Sequence, residues 1–286
     1  MPATSVATPA SIPAPADLKA AMASDSKIDV SSLFSADKAT RDAAATSFAA
    51  VAQKEGPSAF VSFNDAALKA LADKKSPAAR EGAAAAVSAV IAGGAIQYLE
   101  PTFVSSGLYA ALIEAFADKM PAPRAAAVEA VKSYIAAMNP WATAYILPTL
   151  LHQMKTAGKW QVKTGCLTML DQLVVCAPVQ TAKLMPEIIP VLSEVIWDTK
   201  ADVKKASRES LTKATALISN KDIERFIPAL ISALINPVEE VVKCIQLLSA
   251  TTFVSEVDSP TLSLMVPLLS RGLNEKLTAT KRKVAV

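Results

Sequence analysis

The sequence predicts an all-α protein: a solenoid of about seven helical-hairpin repeats wound into a right-handed superhelix. Three observations carry that expectation. Alanine occurs 55 times in 286 residues against 8 glycines, and alanine is the best helix former while glycine is among the worst. A bulky apolar residue followed by proline recurs inside apolar stretches at Leu147-Pro148, Ile189-Pro190, Ile227-Pro228 and Val266-Pro267, the prolines 42, 38 and 39 residues apart. A basic residue opens an Ala- or Val-rich run at Arg41, Arg80, Arg124, Lys163, Lys204, Lys243 and Lys283, at spacings of 39, 44, 39, 41, 39 and 40. Two independent markers with one period define a single supersecondary unit, stacked.

The elements follow in order. Residues 1–27 are rich in Ala, Pro, Ser and Thr and read as a disordered lead-in, with 28–286 as one repeat domain. Amphipathic first helices fall at Ser58–Ala72, Ser106–Ala117, Ala142–Met154, Pro186–Ile196, Ile223–Ile235 and Thr261–Leu273. Within one of them Ile223, Phe226, Ile227, Leu230, Ile231 and Leu234 keep the i, i+3, i+4 spacing of a buried stripe. Turns near Asp73, Asp118, Gly158, Asp198 and Asn236 lead into second helices. In Pro77–Ile91, Ser76 caps and Pro77 takes the first helical position; Asn236-Pro237-Val238-Glu239 repeats this with Glu239 set to close a capping box. Helical pairs of about forty residues form the HEAT and armadillo class. The proline in the first helix, the acidic turn and the basic residue entering the second fit HEAT. About fourteen helices and no sheet are expected. The last repeat reads as truncated, its second helix starting only at Lys281-Arg282-Lys283.

Composition excludes several function classes. One histidine (His152) and three scattered cysteines (Cys166, Cys176, Cys244) cannot assemble a common zinc site, and the cysteines read as reduced thiols of a cytosolic protein. His152 lies beside Leu150 and Leu151 with no nucleophile motif nearby, so it reads as a packed or surface residue. The uncharged runs Gly82–Leu99 and Ser133–Met154 are too poor in bulky apolar residues to span a membrane. Net charge is +3, split as −1 over residues 1–150 (12 basic, 13 acidic) and +4 over residues 151–286 (17 basic, 13 acidic).

The strings VLSEVIWDTKADVKKAS (Val191–Ser207), SNKDIERFIPALI (Ser219–Ile231) and ATTFVSEVDSPTLSLMVPLLSRGLNEK (Ala250–Lys276), with KRK at Lys281–Lys283, resemble the N-terminal HEAT region of the translation elongation factor 3 family. The likeness is close from about Asn139 onward and holds as helical pattern before it. A related stretch occurs in the HEAT activator of the amino-acid-starvation kinase, which leaves a translational-control scaffold as the alternative. The resemblance to elongation factor 3 implies a ribosome-associated ATPase whose ATP and magnesium sites lie in cassettes outside this stretch. It also implies ribosomal RNA and protein contacts, a role in releasing tRNA from the exit site, and a link to elongation factor 1A through other domains. Within the chain no two glycines stand five apart, and Gly158-Lys159 is followed by Trp160, so no phosphate-binding loop is present. No cofactor, no ATP binding, a monomeric state and a cytoplasmic location are expected.

With the resemblance, Lys155, Lys159, Lys200 and Lys205 become the ribosomal-RNA candidates, since they flank the turns of the fourth and fifth repeats. Equivalent turns of packed repeats lie about 8–10 Å apart, so these lysines are expected to form one contiguous patch free of structural duty. Lys163, Lys204 and Lys243 hold the motif's basic position and are expected to pair with the turn acid of a neighbouring repeat. Trp160 and Trp197 sit at helix–turn junctions beside Lys159 and Lys200. They read as wedges between repeats first and as base-stacking platforms second.

Overall fold

A computed structural model describes residues 31–35, 37–276 and 278–285; the 1–27 lead-in lies outside them. Among the described residues there is no strand. Helix α1 (Lys38–Glu55) is the second helix of the first repeat. Repeat 2 is α2 (Ala59–Ala72) and α3 (Pro77–Ala92), and repeat 3 is α4 (Ile96–Phe103), α5 (Leu108–Glu114) and α6 (Pro121–Ala137). Repeat 4 is α7 (Thr143–Thr156) and α8 (Trp160–Cys176); repeat 5 is α9 (Pro178–Lys183), α10 (Met185–Val195) and α11 (Ala201–Thr215). Repeat 6 is α12 (Lys221–Glu224), α13 (Ile227–Ile235) and α14 (Pro237–Ser249), and repeat 7 is α15 (Ser259–Leu273) and α16 (Thr278–Ala285).

Sixteen α-helices lie among the described residues against the fourteen expected: three first helices come in two pieces, and the first repeat contributes a single α-helix with only a 3-10 turn, Ser31–Phe34, before it. In repeat 3 the break falls at Gly107, whose φ of +86° leaves the helical region. In repeat 6 it falls at Arg225-Phe226, ahead of Pro228, which lacks the N–H a continuous helix would use there. In repeat 5, Leu184 with ψ near 7° separates α9 from α10. Pro148, Pro190 and Pro267 are by contrast carried inside α7, α10 and α15. Ser76 caps α3 as the sequence predicts, its hydroxyl accepting the Ala79 N–H at 3.2 Å. Asn236 makes no side-chain cap, so the expected capping box with Glu239 does not form. The caps at other starts come from Asp37 and Asp258, which accept the N–H groups of Thr40 and Thr261.

The second helices stack in sequence, α1 on α3, α3 on α6, α6 on α8 and α8 on α11, and one hydrophobic core runs through the array. Helices α3 and α6 pack most extensively, and both bury alanine there: Ala83, Ala84, Ala86 and Ala89 on one, Ala127 and Ala130 on the other. Alanine lets two axes approach closely without voids. Gly82 serves the same end, since a Cβ there would lie 2.6 Å from the Phe34 carbonyl oxygen. Large side chains fill the wider gaps: Phe48, Phe60 and Phe63 in repeats 1 and 2, and Phe103, Tyr109 and Tyr134 in repeat 3.

Strict nearest-neighbour stacking fails at repeat 6. Helix α10 of repeat 5 packs directly against α15 of repeat 7, and α11 meets α13. The segment between α14 and α15 folds back to allow it. Asp222 accepts the N–H groups of Val254 and Ser255 at 2.9 and 2.7 Å, and Asn220 donates to the Glu256 carbonyl at 3.1 Å. No described helix is long and apolar enough to cross a membrane.

Candidate nucleic-acid interface

The turn between first and second helices fixes the chemistry of one edge of the array. Asp118 is its fullest expression. Its carboxylate accepts the Met120 N–H at 2.8 Å, closing its own turn, and takes two bonds from Arg80 of the preceding repeat at 2.6 and 3.1 Å. Arg80 also donates to the Asp73 carbonyl at 2.6 Å. Asp198 repeats the arrangement, accepting from the Lys200 N–H at 2.9 Å and from Lys163 Nζ at 2.6 Å. The Arg80 guanidinium holds the Asp118 carboxyl below the ordinary carboxylate range. Burial pushes Asp198 upward, but Lys163 and the Lys200 N–H outweigh it and leave it lowered.

Rungs therefore form at Asp118 and Asp198, but an aspartate at the next turn is not sufficient: Arg41 donates to the Ser35 carbonyl at 2.7 Å and makes no ion pair with Asp73. Lys163 has its expected partner. The turn after Lys204 carries Asn236 in place of an acid, and Lys204 makes no ion pair among the described residues; Lys243 pairs at 2.8 Å with Glu240 of its own helix. The ladder expected at Lys204 and Lys243 is thus corrected: amides at Asn236 and Asn274 stand where the acid would be. The turn after Arg124 likewise carries Gly158 in place of an acid, and the one hydrogen bond of its guanidinium among the described residues goes to the Asp118 carbonyl, at 3.4 Å. A further inter-repeat pair, Lys213 with Asp171 at 2.5 Å, carries no marker of the repeat motif.

Because both rungs depend on ionised aspartates, they stabilise on the alkaline side of carboxylate titration. Each lowered carboxyl contributes fully above its unfolded pKa and loses that contribution as pH falls through its folded value. Asp118→Asn is expected to unfold at lower urea than the parent at about pH 7, the gap closing below about pH 4. A gap of unchanged size in acid would mean the charged rung stabilises nothing.

The four lysines named from sequence do not share one role. Lys155 is engaged, pairing with Glu194 of the next repeat at 2.7 Å, so the expectation that it is free of structural duty is corrected. Lys159 is exposed, donates to the Ala117 carbonyl at 3.4 Å, and lines a cleft of about 650 Å³ on the turn edge. Lys74 and Lys119, from the turns of repeats 2 and 3, line the same cleft, with Arg80, Asp118 and Glu114. Lys200 and Lys205 are exposed and lie outside that lining. Lys74 and Lys119 escaped the sequence reading although the signal was present: lysine follows the turn position in Asp73-Lys74-Lys75, Asp118-Lys119 and Gly158-Lys159, and at one remove in Asp198-Thr199-Lys200.

The tryptophans are not buried wedges. Trp141, Trp160 and Trp197 are 67%, 39% and 51% exposed. Trp141 carries Lys183 over its ring at 5.3 Å. Trp160 lines a separate groove of about 490 Å³ between α6 and α8. His152 is exposed. The three cysteines are free, and burial pushes the Cys166 thiol up to about 12 and Cys244 to about 11, so neither is a reactive thiolate. Among the described residues no three His, Cys, Asp or Glu side chains gather to hold a metal.

Residues 41–211 match the family described as "EF3 N-terminal HEAT repeat", and residues 239–286 match "Elongation factor 3/GNC1 HEAT repeat". The chain is 52% identical, over its whole length, to elongation factor 3 of Mycosarcoma maydis, of which it spans 28%. It is 46% identical over 76% of its length to elongation factor 3 of Gonapodya prolifera, spanning 20% of that protein. To elongation factor 3B of Saccharomyces cerevisiae it is 53% identical over 56% of its length, spanning 15%. A crystal structure of Kap121p aligns over 94% of this chain and 26% of that one, at 16% identity and a TM-score of 0.43. With the first of those family matches covering more than half of its residues, the chain belongs to the N-terminal HEAT-repeat family of elongation factor 3.

Proposed function

We propose that this chain is the ribosome-binding arm of an elongation factor 3-like ATPase, acting in translation in the cytoplasm. The turn edge lies on ribosomal RNA and ribosomal proteins and positions the ATPase, which supports tRNA release from the exit site. ATP and magnesium, and any contact with elongation factor 1A, belong to other domains of the full-length protein. The observation that carries this reading is the cleft where Lys74, Lys119 and Lys159 converge from three successive turns. Three ammonium groups from a periodic scaffold suit successive phosphates of a nucleic-acid backbone, which attracts cations without any base code.

Cosedimentation of the 286-residue chain with ribosomes across a salt series tests it. Binding whose logarithm falls linearly with the logarithm of salt is expected. Salt-insensitive binding, or none at low salt, would overturn it.

A further inference from the structure

We propose that the groove between α6 and α8 binds an unpaired nucleotide of single-stranded RNA, its base stacked on Trp160 and its phosphate held by Arg124. The proposal rests on the ribosomal-RNA reading of the turn edge and names what one part of it would take.

Arg124 occupies the ladder position, where Arg80 and Lys163 find carboxylates. Gly158 stands where its partner would be, and Arg80 already claims the Asp118 carboxylate. The Arg124 guanidinium is left with one long bond to a carbonyl, and no carboxylate lines the groove beside it. An arginine without an acid, at the wall of a cavity, is suited to an anion supplied from outside.

The remaining walls suit a flat ring. Trp160 is 39% exposed and follows Lys159 directly, so the indole adjoins the basic edge. Phe116 is buried beneath, and Gly165 makes room for it, since any Cβ there would run into the Phe116 ring. The Thr164 and Thr168 hydroxyls are spent on backbone carbonyls of their own helix. Gln161 is the one neutral side chain on the wall whose amide has no hydrogen bond among the described residues, and it is placed to meet a base edge. Unpaired bases stack on aromatic faces in sequence-tolerant binding, whereas the bases of a duplex are already stacked. An acidic peptide would satisfy Arg124 and leave the indole without a partner.

The double variant Trp141→Phe/Trp197→Phe leaves Trp160 as the only tryptophan, so its fluorescence reports the groove. A short oligouridylate is expected to quench it saturably; the same strand annealed to its complement and a polyglutamate peptide are not. In the parent chain Trp160→Ala should weaken oligouridylate binding roughly 5- to 150-fold, the equivalent of about 1–3 kcal/mol per stacked base. Trp160→Phe should restore most of it, and Arg124→Gln should make the salt slope shallower by about 0.7. Equal quenching by polyglutamate or duplex would overturn the proposal, as would RNA binding that leaves Trp160 fluorescence unchanged. If that last result accompanies intact ribosome cosedimentation, the groove fails and the ribosome reading stands. Quenching by oligouridylate without ribosome cosedimentation is the reverse outcome, sustaining the groove and refuting the arm.

Discussion

Phe103→Ala is expected to cut the array at its third repeat. Phe103 is fully buried, stacked on Tyr134 of α6 with ring centroids 4.1 Å apart, and 5.6 Å from Tyr109. Tyr109 in turn donates its hydroxyl to the Ile146 carbonyl of α7, so the cluster joins the two sides of repeat 3 and reaches repeat 4. Truncating a buried phenylalanine costs about 3–5 kcal/mol, cavity included. In a solenoid that loss does not spread evenly, because stability is close to a sum of repeat and nearest-neighbour terms. The consequence is both a lower and a broader transition. Circular dichroism on heating should show the first loss of helix roughly 6–20 °C below the parent. It should also resolve into two steps, as the repeats on either side uncouple. A single transition displaced by only a degree or two would mean that the aromatic cluster does not hold the interface.

The same linear architecture explains what the sequence exposes and what it conceals. The period near forty, the prolines and the basic markers are local features, so the helical pairs and their order are legible from residues alone. The broken first helices are legible only in part: Gly107 and Pro228 are visible, but whether a proline interrupts a helix depends on packing, and Pro148, Pro190 and Pro267 do not interrupt theirs. The α10–α15 contact is not legible, since it comes with long-range pairing in which Asn220 and Asp222 bond backbone groups more than thirty residues away. At the site, Lys163 fits the motif because Asp198 is present, while Lys204 and Lys243 carry the same marker and lack the acid. Lys155 shows the opposite failure. It looks unassigned in the motif, yet a helix-borne carboxylate, Glu194, reaches it across the repeat interface.

Charge reversal along the turn edge should have the largest effect on binding. Lys74, Lys119, Lys159 and Lys200 project from four consecutive turns, are exposed, and make no ion pair among the described residues. Only Lys159 has a side-chain hydrogen bond, a long one to a carbonyl, so replacing all four by Glu should leave the helical circular dichroism close to the parent's, with a modestly lower melting temperature because Lys159 also favours the ionised Asp118 carboxylate. Binding is another matter. Each phosphate contact contributes about 0.7–0.9 to the log–log salt slope, so four lost contacts should make it shallower by about 3. Extrapolated from 1 M, that difference corresponds to a loss on the order of a thousandfold in ribosome affinity at about 0.1 M salt. Net charge changes equally in a control that reverses Lys38, Lys54, Lys69 and Lys132, which lie within helices of the first three repeats. If the edge makes the contacts, the control keeps nearly the parent slope while the edge variant loses most of it. Equal weakening in both would mean that diffuse charge, and not the turn edge, carries the proposed ribosome binding.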